Sequence, residues 1–242
     1  EEAPLTATTV AALEALTGNL QVSDGCTADN NLVVTSSQTA TGTCPIVITR
    51  TYMVTDACGN TSAPIIHTIN LNDTNPPEAT GTLSMINVEG CSIADAPAAV
   101  TTVAALEALP GNLLVTDGCT SDANITVTHS QTTSGSCPLV VTRTYVVADA
   151  CGNTASTVQV IQVDDNTSPV ITGSIANTNI QGCSAAAAPA PATTVAALEA
   201  LGLTITDQCT ADANLLVSSS DVSLGTCPIV ITRTYTLSDA CG

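Results

Sequence analysis

The residue type in this chain most able to do chemistry is cysteine. Its 242 residues carry eleven, beside two histidines, three basic residues and 21 carboxylates. So many cysteines in a small chain imply an oxidising compartment, and disulfides before catalytic thiols. Their spacing recurs. Cys44 opens CPIVITRTYMVTDACG, Cys137 opens CPLVVTRTYVVADACG and Cys227 opens CPIVITRTYTLSDACG, 93 and then 90 residues apart. A second block, TTVAALEAL, begins at Thr8, Thr101 and Thr193. Solenoid repeats run roughly 20 to 50 residues, so a period of this length fits one small sandwich domain per copy.

Each full unit has four cysteines, Cys91, Cys119, Cys137 and Cys151 in the middle copy, which allow three pairings. Chain direction narrows them. If the first strand descends to Cys91, the next climbs to Cys119, a third descends toward Cys137 and a long one climbs to Cys151. The last two flank an extended strand of roughly 40 Å and cannot meet. Counting ends in this way pairs Cys91 with Cys137 and Cys119 with Cys151. By translation Cys183 pairs with Cys227, Cys209 with Cys241 and Cys26 with Cys58, while Cys44 is left unpaired. Zinc is the rival reading, but no Cys-x-x-Cys pair or Cys and His cluster supports it.

All three basic residues, Arg50, Arg143 and Arg233, occupy one repeat position, in TRTY. Strand parity puts Arg143 on the face of Leu139, Val141, Tyr145 and Val147, which points inward. An inward Arg needs an anion. The helix block supplies a recurrent acid, so the expected structural ion pairs are Arg143 with Glu107, Arg50 with Glu14 and Arg233 with Glu199. The alternative is an Arg at the strand rim that reaches water. His67 and His129 each stand alone in their copy and read as strand-surface residues. No Ser, His and Asp set, phosphate loop or paired carboxylates recurs, which excludes the common catalytic constellations and predicts a non-enzyme.

The aspartates are not scattered. Each copy places three where the climbing strands end: Asp24, Asp29 and Asp56, then Asp117, Asp122 and Asp149, then Asp207, Asp212 and Asp239. The preceding linker arrives at the same end with Asn72 and Asp73, or with Asp164, Asp165 and Asn166. Oxygen ligands from both sides of a junction suit Ca²⁺. The plainer reading is that these side chains cap turns and face water.

Positioning these residues falls to β-strands. Only 10% of residues are charged and the net charge is −18, with no Trp or Phe and a mean hydropathy of +0.35. That balance argues against nucleic acid, anionic membranes and disorder, and no apolar run reaches the length of a membrane span. Period-two patterning marks strands over Thr80–Val88, Asn112–Thr116, Asn124–Thr128, Leu139–Ala148 and Ser156–Val163. TTVAALEAL suits a two-turn helix capped by Thr102. Turn residues around Pro mark boundaries at Asn72–Pro77 and Asp164–Pro169. The expectation is all-β: tandem immunoglobulin-like sandwiches with one short helix each, end to end in a rod. The units are 1–75 lacking its first strand, 76–166 complete, and 167–242 lacking its last, so the chain reads as a fragment.

The segment TRTYVVADACGNT from Thr142 and the PVITG at Pro169 resemble the Ig-like, hyalin-repeat-like tandem domains of Bacteroidota surface proteins. The resemblance implies a long secreted adhesin, exported by type 9 secretion, displayed at the cell surface and serving gliding motility. On this reading the chain is a non-catalytic stalk that holds a distal binding element. Its partners are neighbouring repeats, with surface polysaccharide or cell-surface proteins as further candidates. The alternatives are a repeat that itself binds glycan or protein, and an accessory array on a secreted hydrolase.

Overall fold

The computed structural model describes residues 3–242 apart from Thr17. Among the described residues the chain is all-β with three short α-helices. The first unit holds α1 (Val10–Glu14), β1 (Val33–Thr41), β2 (Ile46–Thr55) and β3 (Ile65–Leu71). The second holds β4 (Glu78–Thr80), β5 (Ile86–Glu89), α2 (Val103–Glu107), β6 (Leu114–Thr116), β7 (Thr126–Ser134), β8 (Leu139–Ala148) and β9 (Thr154–Asp164). The third holds β10 (Val170–Gly173), α3 (Val195–Glu199), β11 (Leu203–Thr206), β12 (Leu216–Leu224) and β13 (Val230–Ser238).

Strand pairing among the described residues stays within each unit. The middle one has a four-stranded sheet, β5-β9-β8-β7, and a two-stranded sheet, β4-β6. The first unit repeats the order β1-β2-β3, and the third repeats the pairs β10-β11 and β12-β13. The strand expected over Thr80–Val88 is two strands. Gly81, at φ +80°, turns the chain against the Asn112 carbonyl where no Cβ fits. The backbone thereby leaves the small sheet, and β5 joins the large one parallel to β9. Strand β7 runs past its expected end because Ser130–Ser134 are exposed on both faces, which erases the alternation that marks a half-buried strand.

The helices form where expected and with the expected cap, but each spans five residues, short of two turns. Thr9, Thr102 and Thr194 accept from Ala12, Ala105 and Ala197 N–H at 3.2 to 3.3 Å. Each cap satisfies a donor that a five-residue helix would otherwise leave orphaned. Val103 and Leu106 then face a core of Leu113, Val115, Ile125, Val127, Tyr145 and Val147, drawn from both sheets. A second cluster, Val141, Ile161 and Val163, packs with Ile86 and Val88 of β5. Arg143 lies between the two clusters on the inward face of β8 and is 4% exposed.

Candidate functional site

The β7–β8 turn positions the first of the cysteines that matter. Gly135 sits at φ +76°, and a Cβ there would lie 2.6 Å from the Pro138 carbonyl. Gly42 and Gly225 meet Pro45 and Pro228 in the same way. This tight turn starts β8 directly after Cys137. The strand then delivers Cys151 to the other end of the unit.

The disulfides correct the sequence-based pairing. None of Cys91–Cys137, Cys119–Cys151, Cys183–Cys227, Cys209–Cys241 or Cys26–Cys58 forms. The bridges are Cys44–Cys151, Cys91–Cys209 and Cys137–Cys241, with Cα separations of 5.1, 4.9 and 5.4 Å, within the usual range. Cys44, expected to be unpaired, is bonded. Every bridge joins one unit to the next. Counting strand directions sorts the cysteines by end correctly, Cys91 and Cys137 at one end of the unit and Cys119 and Cys151 at the other. The cysteines at one end, however, meet those of the facing unit. Chain direction inside a unit carries no information about what its end faces.

The bridges obey one rule. Cys44 and Cys137 share a repeat position, as do Cys151 and Cys241, so the first and third bridges are translations of each other. The free cysteines are Cys26, Cys58, Cys119, Cys183 and Cys227, all exposed. Each occupies the repeat position of a bonded residue: Cys26 and Cys119 that of Cys209, Cys58 that of Cys151, Cys183 that of Cys91, and Cys227 that of Cys137.

Beside the bridges lie carboxylates. Asp165 from the linker, Asp207 from the loop after β11 and Asp239 from the loop after β13 each offer an oxygen within 4.8 Å of the others. Asp165 and Asp239 are each 6% exposed. At the preceding junction Asp73 and Asp149 approach in the same way, beside Cys151. Asn153 links the two by donating from Nδ2 to the Asp73 carbonyl at 3.1 Å and to Asp149 Oδ2 at 2.7 Å. Burial pushes the Asp149 carboxyl up, but hydrogen bonds from Asn153, Cys151 and Gly152 outweigh it and hold the carboxyl below its ordinary value.

The other predicted aspartates do not join these groups. Asp122 and Asp212 start exposed 3-10 turns at Asp122–Asn124 and Asp212–Asn214. Asp164 lies beside the Cys137–Cys241 bridge, whose oxidised sulfurs offer no thiolate to a metal. Asp117 accepts from Cys119 and Thr120 N–H at 2.8 and 2.6 Å. In the first unit Asp24 accepts the matching bonds, which lower its carboxyl, while its neighbour Asp56 opposes them.

The expected ion pairs of Arg with helix Glu are also corrected. Glu14, Glu107 and Glu199 turn back to accept from Val22, Val115 and Ile205 N–H at 2.8, 2.8 and 3.3 Å, which ties each helix to the strand or segment after it. Arg143 instead donates from Nε and Nη2 to Gln131, both at 3.1 Å. Arg50 donates to Gln38 and the Leu5 carbonyl, and Arg233 to Asp221 at 2.7 and 2.8 Å and to the Pro189 carbonyl. Arg233 with Asp221 is the one salt bridge among the described residues, and it lowers the Asp221 carboxyl while raising the guanidinium. The partner stands directly across the hairpin. Its signal was legible, since Gln38, Gln131 and Asp221 each precede their Arg by 12 residues. His67 is half-buried opposite Arg50, where Gln159 stands opposite Arg143; only His129 is a surface residue.

The three disulfides fit an oxidising, extracellular environment. No helix of the described residues is long and apolar enough to cross a membrane. The chain matches no model of a known protein family and no curated protein.

Proposed function

We propose that this chain is a non-catalytic stalk segment of a long extracellular adhesin or surface filament, built from tandem Ig-like units set end to end. The observation that carries the reading is the unit-to-unit direction of every bridge. Cys44 is bonded to Cys151, the chain runs back 14 residues along β8 to Cys137, and Cys137 is bonded to Cys241. Between Cys44 and Cys241 the covalent path is therefore 14 residues instead of the 197 of the backbone. Tension crosses the middle unit along one strand and leaves through a bridge, so unfolding the rest of that unit adds no length. A stalk under drag needs that property, whereas catalysis and ligand recognition do not. The free cysteines stand at the repeat positions of bonded ones, placed for the same kind of bridge to a like unit, and the export route and gliding role follow the sequence resemblance.

Single-molecule pulling from the two chain ends tests the reading. Reduction should release about 183 further residues, roughly 600 Å at ~3.3 to 3.6 Å each. Equal extension with and without reductant would contradict it. Saturable binding of the oxidised chain to surface polysaccharide would favour a ligand-binding repeat.

A further inference from the structure

Capping a turn uses one carboxylate oxygen, and the aspartates at the second junction have two. Asp165 Oδ1 accepts from Thr167 N–H at 3.1 Å. Asp207 Oδ1 accepts from Cys209 N–H at 2.9 Å and Thr210 N–H at 2.5 Å. Asp239 Oδ1 accepts from Cys241 and Gly242 N–H, both at 2.7 Å. These bonds fix the side chains. They leave Oδ2 of Asp165 and of Asp207 buried with no hydrogen-bond partner among the described residues. A buried acceptor without a donor is costly, and a charged one more so.

The chain has no cation of its own to offer. It contains no lysine and three arginines, and each guanidinium is held inside its own unit by Gln38, Gln131 or Asp221. Three carboxylates within 4.8 Å, two of them over nine-tenths buried, therefore repel one another until a cation arrives from solvent. We infer that Asp165, Asp207 and Asp239 form a Ca²⁺ site that joins the second unit's linker to both loops of the third. Two ligands on one Ca²⁺ at ~2.4 Å lie at most ~4.8 Å apart, and each of the three carboxylates offers an oxygen inside that limit. Mg²⁺ keeps most of its water and takes one or two carboxylates, and Zn²⁺ calls for nitrogen or thiolate ligands. The cluster has neither. At the first junction only Asp73 and Asp149 converge, Asp117 stays outside them, and both Asp149 oxygens already accept from Cys151 and Asn153, so the site is confined to the second junction. It does not depend on the stalk role.

The test is calorimetric titration of the oxidised, chelator-treated chain with CaCl₂, and separately with MgCl₂ and ZnCl₂. The expected result is one Ca²⁺ per chain with a dissociation constant of roughly 0.1 to 1 mM, the range of extracellular modules, and at least tenfold weaker Mg²⁺ and Zn²⁺. Asp165→Asn should abolish that binding. Asp212→Asn, in an exposed turn, should leave it intact. Melting with and without calcium covers a variant of low stability: calcium should raise the wild-type melting temperature, and Asp165→Asn should shrink that rise without lowering the calcium-free value. No saturable heat at millimolar calcium, or unchanged stoichiometry in Asp165→Asn, would overturn the site. So would an equal loss of stability by Asp165→Asn in both conditions, since that marks a turn cap.

Discussion

Within residues 1–242 the two junctions differ, because the repeat position of Cys91 in the first unit falls before Glu1. Between the first and second units there is one bridge, Cys44–Cys151, supplemented by the Asn153 amide on the Asp73 carbonyl. Between the second and third there are two, Cys91–Cys209 and Cys137–Cys241. One bridge limits distance but is a pivot; two bridges at separate points also limit rotation. The linkers differ as well. At the second junction Glu89, at the end of β5, accepts from Asn166 N–H and Nδ2 and from the Thr167 hydroxyl at 3.0 to 3.1 Å, which fastens the linker to the unit it leaves. At the second junction orientation therefore rests on β5 and its cysteine, and reach rests on β8.

Breaking the single bridge should cost most. Cys44→Ser with Cys151→Ser opens a loop of 107 residues, and chain entropy puts the loss at about 3 to 5 kcal/mol in denaturant unfolding of the first unit. Cys91→Ser with Cys209→Ser should cost less, about 1 to 2 kcal/mol, because Cys137–Cys241 still closes most of the same loop. Its distinguishing effect is geometric: scattering should show a wider spread of angles at the second junction. Asn153→Ala removes the amide at the first junction and should destabilise by about 1 kcal/mol, with faster amide exchange at Asp73–Asn75. Acidification should give the smallest effect. The hydrogen bonds from Asn166, then Thr167, lower the Glu89 carboxyl. Its contribution is therefore present above the ordinary glutamate value and is lost as pH falls through the lowered one. Exchange of Asn166 and Thr167 amides should quicken as pH falls below the ordinary glutamate range, and Glu89→Gln should flatten that dependence.

Much of one unit was legible in its sequence. Alternation in Leu139–Ala148 gave β8 with the right residues inward, including Arg143, because Thr142 and Thr144 mark the opposite face. The helix was legible from Val103, Leu106 and the Thr102 cap. What escaped were features settled by more than one segment. Gly81 diverts the chain between sheets through a contact with Asn112, thirty-one residues away. Gln131 faces Arg143 through hairpin register, and an acid was expected there because charge, and not register, was the guide. The aspartates were placed at the correct ends, but which of them converge depends on how the linker enters the next unit. Asp165 turns inward while Asp212 stays in water.

The pairing of the cysteines is the point on which the load path stands. Peptide mapping of the non-reduced chain, with thiols blocked before digestion, measures it directly. The linked peptides should contain Cys44 with Cys151, Cys91 with Cys209 and Cys137 with Cys241, and the blocking group should mark Cys26, Cys58, Cys119, Cys183 and Cys227. Finding Cys91 joined to Cys137, or Cys119 to Cys151, would close each unit on itself and contradict a covalent path from unit to unit.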